Sequence, residues 1–338
     1  MKIFLKSKKF RKRKWYLPIF ITVIISILSA CGNDQAKVAE ADGKVDLSKV
    51  TLVLGDQAGL TKSKVEASKV LEGTPYKVKW ASFQGAAPLF EAVKSGSVDT
   101  APAGDTPILT AAASGVPIKI MATNVSSTES LGILVQKDSS IKTVSDLKGK
   151  TIAISSAQGS IAQHLVIEAL KEVGLTTNDV KIKFILPTDA SAAFKAGEIE
   201  VWGTFDPYMT IAVNNGARVL RTGKGISSGV GFLTVSEEAL KDPGKKAALK
   251  DVVKRFEKAW EWQQDNKEEY DKLYSKITGL PEDVSREINS KVNAEFRPVT
   301  ESDIQAVQKV ADSFKEAGVL QKSVKVSELV DKEIFPNK

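Results

Sequence analysis

The sequence predicts an α/β protein of two lobes, each a mainly parallel sheet flanked by helices, and three observations carry that prediction. Short β-like runs alternate with helical segments from Thr51 onward. The same rhythm restarts near Gly132, so a second unit of similar size follows the first. Beyond Gly229 the alternation gives way to a long, almost wholly helical stretch. Parallel strands cannot be joined by a tight turn and need a crossover, usually a helix, so strand–helix alternation points to a largely parallel sheet.

In the first unit, strands are predicted over 51–55, 76–80, 99–103 and 118–122, with helices over 61–71, 88–95 and 107–114 between them. Residues 51–55 (Thr-Leu-Val-Leu-Gly) form a continuous apolar run suited to a buried strand, and 76–80 alternates with period two. The second unit reads as strands over 132–136, 151–154, 181–185, 200–203 and 218–220, with helices over 161–173, 190–196 and 207–214. One more strand covers 231–235, and 244–318 is predicted nearly all helical, with Val252, Phe256, Trp260 and Trp262 on apolar stripes. Such a tail is expected to pack back onto the first lobe. Lobe 1 would then be 48–131 plus 231–338 and lobe 2 132–230, with two hinge crossings near 131–132 and 228–231.

The N-terminus has a separate logic. Lys2, Lys6, Lys8, Lys9, Arg11, Lys12, Arg13 and Lys14 form a basic head, an apolar run from Leu17 to Leu28 follows, and Ser29-Ala30 precede Cys31. This is the grammar of a secretory signal over 1–30, and the run is shorter than the roughly 20 residues that span a bilayer. Leu28-Ser29-Ala30-Cys31 resembles a bacterial lipobox, which implies lipidation at Cys31 and an extracytoplasmic protein anchored to the membrane. Cys31 is the only cysteine, so a disulfide framework, a Cys-rich metal site and a catalytic thiol are excluded. Small and polar residues over 31–47 read as a tether. The chain carries 48 basic and 41 acidic residues. Its net charge of +7 becomes −1 once the eight basic residues of the head are removed, which argues against a nucleic-acid partner.

Candidate binding residues cluster at strand ends. Gly104-Asp105-Thr106-Pro107 lies between a predicted strand and helix, with Thr106 as N-cap and Pro107 in the first turn. Free amides and the positive end of the helix dipole there favour an anion. A second start, Ser155-Ser156-Ala157-Gln158-Gly159-Ser160, offers hydroxyls and a glycine for close backbone approach. In open α/β sheets ligands sit beyond strand C-termini, where both loops fall. Gln57 and Gln84 are candidate polar contacts. Phe83, Trp202, Phe205, Tyr208 and Phe232 are candidate walls or core residues. Asp206 has two readings: a cap for the helix at Pro207, or a cleft carboxylate that pairs with the ammonium of a zwitterion. Arg218 and Arg221, the only arginines between 51 and 235, read as surface residues, and His164 as structural. No metal-ligand cluster, nucleophile elbow or phosphate loop is present in the sequence, so no cofactor is expected. The alternatives to a binding module are an exported enzyme or a ligand sensor on the same scaffold.

Five segments in order carry a family resemblance. They are 83–99 (Phe-Gln-Gly-Ala-Ala-Pro-Leu-Phe-Glu-Ala-Val-Lys-Ser-Gly-Ser-Val-Asp), Gly104-Asp-Thr-Pro107, 144–160, 187–197 and Trp202-Gly-Thr-Phe-Asp-Pro-Tyr208. Over roughly 50–235 the chain resembles the substrate-binding proteins for aliphatic sulfonates, taurine and nitrate. The resemblance implies a two-lobed periplasmic-binding-protein fold of type II that closes over a small anionic or zwitterionic ligand and hands it to ABC permease subunits. It also implies that Trp202 and Tyr208 lie near the cleft.

Overall fold

The structure is a computed structural model, and it describes residues 45–336 apart from 292–294. The signal over 1–30, the lipidation site Cys31 and most of the tether lie outside the described residues. The end of the tether does not: Asp46 accepts a hydrogen bond from the Ser48 amide (3.1 Å), caps the 3₁₀ turn Leu47–Lys49, and Leu47 packs against a core. The folded part thus takes in Val45–Leu47, which the sequence reading had assigned to the tether.

Strands β1 (Thr51–Gln57), β2 (Lys77–Phe83), β3 (Thr100–Gly104) and β4 (Ile118–Val125) open the chain. Then come β5 (Leu131–Val135), β6 (Thr151–Ser155), β7 (Lys181–Ile185), β8 (Val201–Phe205) and β9 (Arg218–Thr222), and last β10 (Val230–Ser236) and β11 (Glu295–Arg297). They form a 6-stranded sheet in the order β11-β4-β10-β3-β1-β2 and a 5-stranded sheet in the order β7-β6-β8-β5-β9. Both sheets are mixed: most strands of each run one way, as expected, with a reversed strand inserted among them. β2, β1 and β3 pair in parallel, as do β7, β6 and β8, whereas β10 runs antiparallel to β3 and β4, and β5 antiparallel to β8 and β9. The exceptions have a topological cause. β5 and β10 are the first strands after the chain changes sheets, so they arrive without a crossover helix to turn them round.

Helices α1 (Leu60–Ala67), α2 (Ala86–Lys94) and α3 (Asp105–Ala113) belong to the first sheet, and α4 (Ile161–Glu172), α5 (Pro187–Lys195) and α6 (Tyr208–Asn214) to the second. The tail holds α7 (Glu237–Lys241), α8 (Pro243–Asp265), α9 (Lys267–Thr278), α10 (Glu282–Ser290), α11 (Glu301–Glu316) and α12 (Val326–Leu329). α8 starts where the sequence puts its signals: Asp242 accepts from the Lys245 amide (2.9 Å) and Pro243 takes the first helical position. Apolar positions on α2, α3 and α11 (Leu89, Ile108, Phe314) fill one face of the large sheet, and α8 with Phe256 and Trp260 fills the other. Each such side chain contributes about 1.5–3 kcal/mol by leaving water. In the small sheet α4 covers one face, while Phe194 of α5 and Trp202 occupy the other.

The tail does more than pack onto the large sheet. α10 reaches α6 of the small half, where Lys291 Nζ donates to Thr210 Oγ1 (2.8 Å) and Asn214 Nδ2 donates to Glu287 (3.2 Å). The two connections between sheets, 126–130 and 223–229, run side by side: the Ser126 amide donates to Gly229 O (2.8 Å) and the Gly223 amide to Leu131 O (2.9 Å). Gly223 is required there, since a Cβ would come within 2.4 Å of Thr128 O.

Candidate functional site

A cavity of about 230 Å³ lies between the two sheets, at the C-terminal ends of β1, β3, β6 and β8. Gln57 and Asp105 wall it from the large half; Ser156, Ser160, Phe205 and Asp206 wall it from the small half. Two non-glycine residues on this wall sit in the left-handed region, Ala58 (φ 52°) and Ser156 (φ 74°). Each costs on the order of 1 kcal/mol, and such strain collects where a loop must aim its groups.

The predicted residues divide sharply. Gln57, Gln84, Gly104, Asp105, Ser156, Ser160 and Asp206 all line the cavity. Gln57 is partly spent, with Nε2 donating to Pro102 O (2.6 Å), and Gln84 accepts from Thr188 Oγ1 of α5 (2.8 Å), so it joins the two halves at the exposed rim. Thr106, Ser155, Gln158, Gly159, Trp202 and Tyr208 do not line it. Trp202 is fully buried against Phe194 (ring centroids 5.2 Å) and donates through Nε1 to Ser155 Oγ (2.9 Å), which also bonds Thr204 Oγ1 (2.9 Å). Strand alternation sends residue 202 to the α5–α6 face, away from the cavity. Tyr208 packs edge-on against Phe205 (6.2 Å).

The first helix start differs from its prediction. Gly104 is the N-cap and α3 begins at Asp105, so Thr106 is the second helical residue; its hydroxyl is buried and, among the described residues, has no hydrogen-bond partner. Asp105 is the feature that matters. Its Oδ1 accepts from the Thr106 amide (2.7 Å) and its Oδ2 from Ser228 Oγ (2.5 Å) in the second connection between the sheets. Burial raises the Asp105 carboxyl above its ordinary value, against the opposing pull of Ser228 and of the nearby His164. Of the amides expected to receive an anion, that of Thr106 is thus already taken by the Asp105 carboxyl.

The second start has a neutral cap. Ser160 Oγ accepts from the Gln163 amide (3.2 Å), and Gln163 Oε1 takes the Gly159 amide (2.6 Å). Gly159 (φ 84°) touches α3, where a Cβ would fall 2.0 Å from Thr110 Oγ1. It lines a separate groove with Gln158 and Thr110. His164, one turn along α4, is buried edge-on to Phe314 (5.3 Å), and burial lowers its pKa while Asp105 works the other way.

Asp206 supports both of its readings. Oδ1 accepts from the Thr210 amide (2.8 Å) and hydroxyl (2.7 Å), which caps α6, while the buried Oδ2 has no hydrogen-bond partner among the described residues and lies 3.9 Å from Lys291 Nζ. Burial raises this carboxyl too, offset by Thr210 and Lys291. The helix itself starts at Tyr208, one residue later than predicted.

Several wall residues are not among the candidate binding residues of the sequence: Lys64, Asn124, Trp260, Gln263 and Tyr270. Trp260, read as helix packing, does pack in a core and also walls the cavity. Lys64 had one legible signal, since it follows Leu60 by four residues and so shares the inward face of α1.

Two mixed sheets joined by paired connections, with a cavity at their strand ends, define a solute-binding protein in form. Residues 78–269 match the family described as NMT1/THI5 like, and the chain belongs to that family. A Bacillus subtilis (strain 168) protein assigned as aliphatic sulfonates-binding is 27% identical over 320 residues, 93% of this chain and 93% of its own length. The alkanesulfonate-binding protein of Xanthomonas axonopodis pv. citri, solved bound to MOPS, has a TM-score of 0.76 at 29% identity, covering 83% of this chain and 98% of its own. The periplasmic aliphatic sulphonate binding protein of Escherichia coli gives 0.74 at 27%, covering 85% and 93%.

Proposed function

We propose that this protein is the extracytoplasmic solute-binding component of an ABC importer, that it captures an organic anion of the aliphatic-sulfonate or taurine type, and that it performs no chemistry on it. The observation that carries the reading is the cavity itself: residues from both halves meet around one space at the strand ends, where α/β sheets bind ligands. The named functions of the relatives agree with it. Lobes 48–131 plus 231–338 and 132–230 turn about the paired connections, and ligand contact with both walls favours the closed form that the permease receives. Lipidation at Cys31 holds the protein at the membrane outside the cytoplasm.

The test is calorimetry and thermal shift on the chain from residue 32 onward, with ethanesulfonate, hexanesulfonate, taurine, nitrate and benzoate. At a hundredfold excess over Kd a ligand stabilises by about 2.7 kcal/mol and raises Tm by a few degrees. Alkanesulfonates or taurine binding at one site meets the expectation; no shift with any of the panel refutes it. Cells grown with labelled palmitate should label the wild-type protein and not Cys31→Ala, and an unlabelled wild-type protein refutes the anchor.

A further inference from the structure

The cavity contains a charge that the helix starts do not supply. Lys64 projects from α1 into the wall and is only 4% exposed. Its ammonium lies 3.8 Å from the centre of the Trp260 ring, and among the described residues no hydrogen bond or ion pair is made to it. On the same wall Gln263 is equally buried, and among the described residues its Oε1 has no partner. A buried ammonium costs several kcal/mol when unpaired, and a cation over an aromatic face recovers only about 2 kcal/mol of that. Core packing gives no reason for such a group, because a methionine would fill the space without the charge.

We infer that Lys64 is the binding residue for the anionic end of the ligand, with the Trp260 ring behind it and the Gln263 amide as its neighbour. This rests on the reading of the cavity as the ligand site and deepens it by naming where the charge is met. Lysine is suited to the task as a compact point charge with three donors. The same cavity is lined by the carboxyls of Asp105 at the start of α3 and Asp206 from the small half, so an anion is drawn to the Lys64 end of α1 and away from those two acids.

The lysine's surroundings make its charge sensitive to pH. Burial alone brings its pKa down to about 7. The titratable groups that share the cavity wall with it are Asp105, Asp206 and Tyr270; Asp56 of β1 bonds the start of the lysine's own helix, Tyr274 packs on Tyr270 (ring centroids 5.9 Å), His164 is felt through Asp105, and α8 presents the uncharged Trp260 and Gln263. Asp56 is occupied with the amides of Gly59, Thr61 and Lys62 at the start of α1, and burial pushes both tyrosines upward. His164 stands below its ordinary value. A sulfonate stays anionic throughout, so its affinity falls as pH rises above 7 and Lys64 loses its proton.

Hexanesulfonate is the probe. Lys64→Gln and Lys64→Met are expected to weaken its binding about tenfold to a hundredfold, the loss of a charge-assisted contact. Ligand-free Lys64→Met is expected to melt no lower than the wild type, because a buried unpaired charge has been removed. Wild-type affinity should drop from pH 7 to 9, and the Lys64→Gln profile should be flat. Equal affinity in wild type and Lys64→Gln overturns the assignment while leaving the cavity reading intact. Absence of hexanesulfonate binding by the wild type takes down both. Should both variants fail to fold, a wild-type affinity that does not change between pH 6.5 and 9 overturns it on its own.

Discussion

Two buried acids stand in the first turns of two helices, Asp105 in α3 and Asp303 in α11, and they behave oppositely. Asp303 accepts two bonds from Arg297 (2.6 and 3.0 Å) as well as the Thr300 amide and hydroxyl (2.8 Å each) in a capping box. Burial works to raise its pKa, yet Arg297 and Thr300 hold it at about 2. Asp105 has the same exposure within a percent and also stands in a first helical turn, but among the described residues no cation is bonded to it, and burial wins. The acid in α11 is satisfied and structural. The acid in α3 is satisfied only in part, and it faces a cavity.

Breaking the α11 pair gives the largest effect. Arg297→Met should cost about 3 kcal/mol, since it strands a buried carboxylate, and urea unfolding measures this. Hexanesulfonate affinity should not change, and an unchanged urea midpoint would contradict the pairing. The same acid predicts a pH signature. Its folded value lies below the ordinary 3.8, so the stability it provides is present above 3.8 and is lost as pH falls toward about 2, ~2 kcal/mol in all. The difference in acid unfolding between wild type and Arg297→Met isolates that contribution. For Asp105 the sign reverses: its contribution is full below 3.8 and fades as pH rises through the raised folded value.

Asp105→Asn addresses the ligand side of the contrast. Taurine, whose ammonium needs a carboxylate, should bind about tenfold more weakly, and hexanesulfonate at least as tightly as before. A loss for both in calorimetry would mean that the residue shapes the wall without reading charge. Ser156→Ala removes one hydroxyl from the opposite wall and should weaken either ligand about fivefold. The smallest effect belongs to Thr106→Ala: its hydroxyl has no partner among the described residues, so stability and affinity should both stay within about 0.5 kcal/mol.

Much of the architecture was legible because the predicted strands and helices of the sheet-forming region are local patterns. Predicted ends such as 181–185 coincide with the observed strand, and others fall within a few residues. β11 was not legible, because Glu295-Phe-Arg297 is a strand only by pairing with β4. The antiparallel course of β5 and β10 depends on where the chain changes sheets, which periodicity does not encode. At the site, loop positions after strands were found and side-chain directions were not. Trp202 and Ser155 sit in the predicted stretches and point away from the cavity, whereas Lys64 sits in Thr61-Lys-Ser-Lys-Val65, whose polar look hides an inward face.

The hydroxyl of Ser228 links the wall of the cavity to the returning segment between the sheets. In the proposed role, a guest that donates to Asp105 meets the same carboxyl that fastens this segment, so the cavity wall and the joint share one group.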